Sequence, residues 1–462
     1  MKKSHLLFGG VVVLCAALAG LNFLASFRPV AVNVPIEDVE AAAKKTGLAD
    51  CFWVGAMTKD GLNFVYPDTG AHYWITQFKL PEGASLGFSG NFPHARHLSF
   101  NTYNEDGQPV DRLNDVLITP EAGATNPFKV GEPRDGQSRA YKFQVAKGDF
   151  DAGTLMADID AKRPVNTLFS PKGDKPTQLW MRIYVPDAGL SAKGGVELPK
   201  PSMKLANGSV VEGDELCRQI VLKEGAVRDV HVSEVRTRQL LGLESHTSPH
   251  HPAQTDVPWE ALFNPPYAMA RALVGTKFQW MEKLLSVKRK GGFYSTLDNT
   301  YMGAYVDSRL GDVLVIHAKA PTTPHTLAGN VKMEGGQLRY WSICKYRSLY
   351  DTKVDSCLYD QQVPLDANGA YTIVVSPGVK RPTNATNDCG VAWMDWGVGD
   401  GLNNPNGGVL FYRNMLPSPD FKQSIFATQA PGDEAAKLGE LYPKAKYMSR
   451  DDFEKLGCKK GN

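Results

Sequence analysis

Opposite charges nearly cancel in this 462-residue chain, 51 Lys and Arg against 49 Asp and Glu, for a formal net charge of +2. With no long-range field to draw in a polyanion, nucleic acid is excluded as a partner. There is no C-x-x-C, so the cysteines carry no common zinc spacing. The strained turn of a serine hydrolase, G-x-S-x-G, is also missing, because Gly87-Phe88-Ser89-Gly90 is one residue too short. The oxygen-rich run holding Asp395, Asp400, Asn403, Asn404 and Asn406 lacks the regular spacing of a calcium loop and reads as an ordinary Gly/Asn loop.

What the chain has in quantity is turn chemistry. A hydrophobic content of 42%, a charged content of 22%, 44 Gly and 30 Pro describe an ordered globular protein rich in turns, which favours β architecture. Lys2 and Lys3 precede an uncharged apolar run over residues 6–25, the pattern of an export signal and long enough to cross a bilayer. No small-x-small cleavage site follows before Phe27-Arg28-Pro29, so residues 1–30 read as a signal peptide or a membrane anchor. Cys15 lacks the small residue that lipidation wants before it.

The strongest internal signal is a repeat. Arg96-His97-Leu98-Ser99-Phe100-Asn101-Thr102-Tyr103 shares the skeleton R-x-x-S-x-x-x-Y with Arg339-Tyr340-Trp341-Ser342-Ile343-Cys344-Lys345-Tyr346. The landmarks after each copy keep one order. Leu113-Asn114-Asp115, Ala140-Tyr141, Arg163-Pro164-Val165-Asn166 and Leu179-Trp180-Met181-Arg182 answer to Leu358-Tyr359-Asp360, Ala370-Tyr371, Arg381-Pro382-Thr383-Asn384 and Leu410-Phe411-Tyr412-Arg413. Unequal gaps between ordered landmarks indicate one duplicated scaffold whose loops have changed length.

The expected fold is therefore mainly β: two related antiparallel β-sandwich or jelly-roll modules, a helical connector and short terminal helices. The expected division is 36–200 for the first module, 201–292 for a connector, 293–425 for the second module and 426–462 for a helical tail. Helices are expected over 36–45, over 258–288, where Phe278, Met281, Leu284 and Leu285 form an apolar face, over 433–441, and after Ser449, which is followed by Asp452 at capping-box spacing. Residues 199–204 read as an extended connector.

Six cysteines remain beyond residue 30, an even number in a chain routed to an oxidising compartment, so disulfides are expected. Cys344 and Cys357 suit a bridge across neighbouring strands. The other four allow three pairings, of which Cys51 with Cys217 and Cys389 with Cys458 would each close one module.

Side chains alternate along a strand, so Ser99, Asn101 and Tyr103 share one face and Arg96, Leu98 and Phe100 the other. An arginine beside a core needs a partner, and Asp115 and Asp360 recur at matching places. The expectation is one Arg-Asp pair inside each module, with Arg182 and Arg413 as further structural residues. Candidate binding residues are Arg96, His97, Ser99, Tyr103, Arg339, Ser342 and Tyr346. His94 and His97 flank Arg96 and could act on Ser99, but the second copy has no histidine there. His246, His250 and His251, with Glu244 and Asp256, are the weak metal candidates, and their spacing fits no metal motif.

Asn166 with the strand Leu179-Trp180-Met181-Arg182-Ile183-Tyr184-Val185-Pro186 resembles the C-terminal module of a broad bacterial family of paired domains of unknown function, which closes with an asparagine loop and an L-x-x-R-x-Y-x-P strand. The second half is similar through 366–369, 371–376, Trp393 and Arg413, though Asn414-Met415-Leu416 departs from the R-x-Y-x-P ending. The resemblance implies an exported β-sandwich protein without a settled activity and transfers no catalytic residue. The function expected is an exported cell-envelope protein that binds a ligand or serves a structural role. A secreted or periplasmic hydrolase or metal-dependent enzyme, with its site in the first module or between the modules, is the alternative. No cofactor is expected, the partner is an unknown small molecule or envelope component, and membrane contact is expected through the N-terminal segment alone.

Overall fold

The structure, a computed structural model, describes residues 30–34, 50–57, 63–148, 150, 156–222, 227–231, 253–264, 267–268, 295–349, 351–401 and 404–458. Its elements are almost all strands. In the first half these are β1 (Val30–Val34), β2 (Gly55–Met57), β3 (Ala71–Phe78), β4 (Ser85–Asn91), β5 (Ala95–Tyr103), β6 (Pro109–Asn114), β7 (Ala140–Lys147), β8 (Thr167–Ser170), β9 (Thr177–Pro186), β10 (Lys200–Lys204), β11 (Val210–Glu212) and β12 (Val227–His231). The second half supplies β13 (Glu260–Ala261), β14 (Asn299–Asp307), β15 (Val313–Lys319), β16 (Leu338–Tyr346), β17 (Val354–Tyr359), β18 (Ala370–Ser376), β19 (Ala392–Asp395), β20 (Gly407–Pro417) and β21 (Lys444–Met448). Helices are short: α1 (Met156–Ala161), α2 (Gly213–Ile220), α3 (Glu434–Leu438) and α4 (Arg450–Lys455). Among the described residues no helix is long and apolar enough to cross a membrane.

Each half forms a pair of sheets, and the two pairs share one topology. The first module has a sheet ordered β2-β3-β9-β5-β6 packed on one ordered β11-β10-β4-β7-β8; the second has β13-β14-β20-β16-β17 on β19-β18-β15-β21. In each copy the second sheet ends in a parallel pair, β7 with β8 and β18 with β19. Register confirms the correspondence residue by residue. Ser99 lies opposite Arg182 as Ser342 lies opposite Arg413, and Phe100 opposite Leu113 as Ile343 opposite Leu358. The duplication is therefore a property of the fold, and R-x-x-S-x-x-x-Y marks an interior strand of each first sheet.

The inner faces make two separate sandwich cores. One gathers Trp74, Leu98, Phe100, Leu113, Phe143 and Met181, the other Trp341, Ile343, Tyr371, Ile373 and Tyr412. Phe88 stacks on Phe143 at 4.7 Å between centroids, and Trp341 on Tyr371 at 5.2 Å. Both geometries add to the area that these large rings remove from water.

Three disulfides staple the modules: Cys51–Cys217, Cys344–Cys357 and Cys389–Cys458. Cys344 and Cys357 sit directly opposite each other on β16 and β17, as their separation suggested. Three such bonds suggest an extracytoplasmic protein.

Several local expectations change. Residues 200–204, read as a connector, form β10 and pair with β4. Between the two tail helices lies a strand, β21, that adds to β15. Ser449 caps α4 by accepting the Asp452 backbone N–H. Within 258–288, Glu260–Ala261 is a strand paired with β14 and not helix; Phe278, Met281, Leu284 and Leu285, and the expected helix over 36–45, lie outside the described residues.

Candidate functional site: a buried polar seam between the modules

An antiparallel sandwich strand normally has one wet face, yet all nine residues of β5 and all nine of β16 are buried. The outer faces of the two first sheets are covered by the other module and by the segments that cross to it. A third apolar cluster draws on both halves, with Tyr73, Ile75, Tyr103, Trp180 and Tyr184 from one and Tyr340, Tyr359 and Met415 from the other. The polar residues of the repeated motif lie in this seam.

The Arg-Asp pairs are exchanged. Arg96 makes no pair with Asp115 of its own module; its Nη1 donates to both carboxylate oxygens of Asp360 at 2.7 Å, its Nε to Thr326 Oγ1 at 2.8 Å, and its Nη2 to Gln361. Reciprocally, Arg339 reaches Asp115 across the seam, Nη1 to Oδ1 at 3.6 Å, and donates to the backbone carbonyls of Arg96 and Phe128. Each aspartate still serves its own module through the backbone, since Asp115 Oδ2 accepts from Leu98 N at 2.8 Å and Asp360 Oδ2 from Trp341 N at 3.3 Å. The expectation of one pair inside each module is thus corrected. Sequence order places an arginine and an aspartate on a copy, but it does not say from which copy a long guanidinium arm will find its partner.

The tyrosines cross in the same reciprocal way. Tyr103 OH donates to Ser295 O at 3.1 Å, just ahead of β14, and Tyr346 OH to Pro67 O at 3.0 Å, just ahead of β3. Behind them stand the β9 and β20 arginines. Arg182 packs on Tyr73, Tyr103 and Trp180 and donates to Tyr103 OH at 2.7 Å. Arg413 packs on Tyr301, donates to Ser342 Oγ and Tyr346 OH, and pairs with Asp68. Burial pushes the phenols of Tyr73, Tyr184, Tyr340 and Tyr346 far up, so they remain protonated. The backbone is bent alike in both copies, with Val185 at φ 46° and Leu416 at φ 43°, left-handed values that a branched or bulky residue adopts only under constraint. Each N–H is held by the incoming segment, Val185 N on Gly70 O and Leu416 N on Asp298 O.

The copies differ most at His97. His97 Nδ1 lies 2.7 Å from Asp115 Oδ2, and its Nε2 faces Asp298 Oδ2 at 4.0 Å. Asp298 also holds Asn114 and Arg112, at 2.7 and 3.0 Å. Burial would raise the Asp115 carboxyl, but His97, Arg339 and the Leu98 N–H together hold it below the usual range. At the matching positions of the second copy stand Tyr340 and Gly70, packed so closely that a Cβ on Gly70 would come 2.5 Å from the Tyr340 hydroxyl.

Serine chemistry is not assembled here. Ser99 Oγ accepts from Asn101 Nδ2, while the His97 ring is engaged by Asp115. His94 is half-buried, and burial with the nearby Arg139 pulls its imidazole below the usual range. Glu244, His246, His250 and His251 lie outside the described residues, and Asp256 bridges Lys446 through the backbone. Among the described residues the metal-ligating types converge once, at Asp68, Cys344 and Cys357, where the two sulfurs are bonded to each other. A small apolar recess on the outer face of the second module is lined by Leu262, Tyr267, Gly303, Tyr305 and Phe411; Gly303 takes the register position of Ile75. Asp68, Asp298, Thr326 and Gln361 escaped the sequence reading, because none belongs to a repeated motif.

No protein-family model matches the chain, and no curated protein does. Its structure is similar to that of an uncharacterised protein from Burkholderia cenocepacia, with 12% identity over 90% of this chain and 96% of that one and a TM-score of 0.42. A Vibrio parahaemolyticus protein gives 11% identity over 89% and 96% of the two chains, with a TM-score of 0.36. Likeness at these values carries no argument about activity.

Proposed function

We propose that the chain serves outside the cytoplasm as a two-module binding or structural protein of the cell envelope, and not as an enzyme. The observation that carries this reading is the use to which the repeated polar residues are put. Arg96, His97, Ser99, Tyr103, Arg339, Ser342 and Tyr346 are all buried in the seam. A catalytic group must reach substrate, and all of these groups but Ser99, which holds Asn101 on its own strand, are spent on contacts across the seam. Ligand contacts then fall on loops and surfaces outside the motif. The test is a broad hydrolase and oxidoreductase screen on the purified, disulfide-intact protein, in parallel with His97→Gln. Background rates in both proteins support the reading. A robust turnover by the wild type would overturn it, and its loss in His97→Gln would place the chemistry in the seam.

A further inference from the structure

We propose that His97 is a charged clasp, an imidazolium whose two N–H groups join Asp115 of the first module to Asp298 of the second, so that the cohesion of the modules depends on pH. The geometry has two ends. Nδ1 meets Asp115 at 2.7 Å, while Nε2 and Asp298 Oδ2, both buried, face each other across 4.0 Å and each lacks any other hydrogen-bond partner. A neutral imidazole has one donor. It would serve one carboxylate and turn a lone pair toward the other, in a setting from which water is excluded. An imidazolium carries a donor toward each, and a small closure of the 4.0 Å gap completes the second contact.

The charged groups facing the ring come from every element packed on it. Asp115 follows β6, Asp298 precedes β14, Arg339 on β16 lies 3.6 Å from Asp115, and Arg112 on β6 lies 3.0 Å from Asp298 and 2.9 Å from Asp160. Tyr184 on β9 covers the ring at 5.6 Å between centroids. Each carboxylate therefore has one guanidinium beside it and one further oxygen turned to His97. The second copy supplies an internal contrast, because Tyr340 and Gly70 at the matching positions offer neither a basic ring nor a carboxylate. The histidine-carboxylate contact therefore belongs to one side of the seam alone.

The sign of the effect follows from linkage. The clasp exists only while the ring carries both protons, so the cohesion it supplies is present in acid and is lost as pH rises. The experiment uses the full oxidised chain with 15N-labelled histidine rings, the His97 signals being assigned by their loss in His97→Gln. At pH 6.5 both ring nitrogens of His97 should be protonated, and Asp298→Asn should abolish that signature. In melts from pH 6 to 9, the wild type should lose at least about 3 °C more Tm than Asp298→Asn. A neutral single tautomer for His97 in the wild type at pH 6.5 would overturn the clasp whether or not either variant folds, and so would identical pH profiles.

Discussion

Arg182 and Arg413 occupy one register position in two copies of the same sheet, opposite Ser99 and Ser342. The first is wrapped by the rings of Tyr73, Tyr103 and Trp180, and the second meets the carboxylate of Asp68, a residue ahead of β3 in the other half. The ion pairs differ similarly, tight for Arg96 with Asp360 and looser for Arg339 with Asp115. Duplication has kept the backbone register and the placing of each guanidinium, while the means of compensating its charge has diverged. The looser pair has a visible cause, since one oxygen of Asp115 is engaged by His97, and Val116 stands where the second copy offers Gln361.

The largest break in this comparison comes from the staples. Chain-entropy loss scales with the loop closed, so Ser substitutions at Cys51 and Cys217, 166 residues apart, should cost about 5 kcal/mol. The 69-residue and 13-residue separations of Cys389–Cys458 and Cys344–Cys357 predict about 4 and about 3 kcal/mol. Denaturant unfolding of the three double variants checks the order.

Next come the arginines. Arg96→Ala and Arg413→Ala each leave a buried carboxylate uncompensated and should cost about 3 to 5 kcal/mol. Arg339→Ala should cost only about 1 to 2 kcal/mol, because its contact with Asp115 is the longer one and Asp115 keeps the His97 ring. A double-mutant cycle sharpens the point: Arg96 with Asp360 should couple by more than about 1 kcal/mol, and Arg96 with Asp115 hardly at all. The reverse result would restore pairing within modules.

The smallest effect is at acid pH. The folded Asp115 carboxyl lies below its unfolded counterpart, so its contribution is complete above about pH 4 and is lost as pH falls through the folded value. Asp115→Asn should flatten the acid limb of the stability profile, an effect read from melts between pH 2 and 5.

The repeat, the sheet class and the Cys344–Cys357 bridge were legible in the chain because they are written in order and spacing, which folding preserves. The seam was not. Ser99, Asn101 and Tyr103 on one face of β5 look like a solvated face, and only the second module's approach buries them. Asp68 and Asp298 lie in unrepeated segments whose sequence neighbourhood gives no hint that they cross to the other half. Strand β10, covered on its outer side only by the three-residue β11, and the edge strand β21 are half-exposed with weak alternation, so they read as connector and tail.

The exchange of partners also has a consequence for inheritance. A chain that lost Arg96 would be under pressure to change Asp360, 264 positions away, and not Asp115 in the same copy. The two halves are thereby bound to a common history. Among descendants of the duplication, substitutions should covary crosswise between the copies, and a recombinant that joins a first half from one lineage to a second half from another should lose cohesion even where each half is intact.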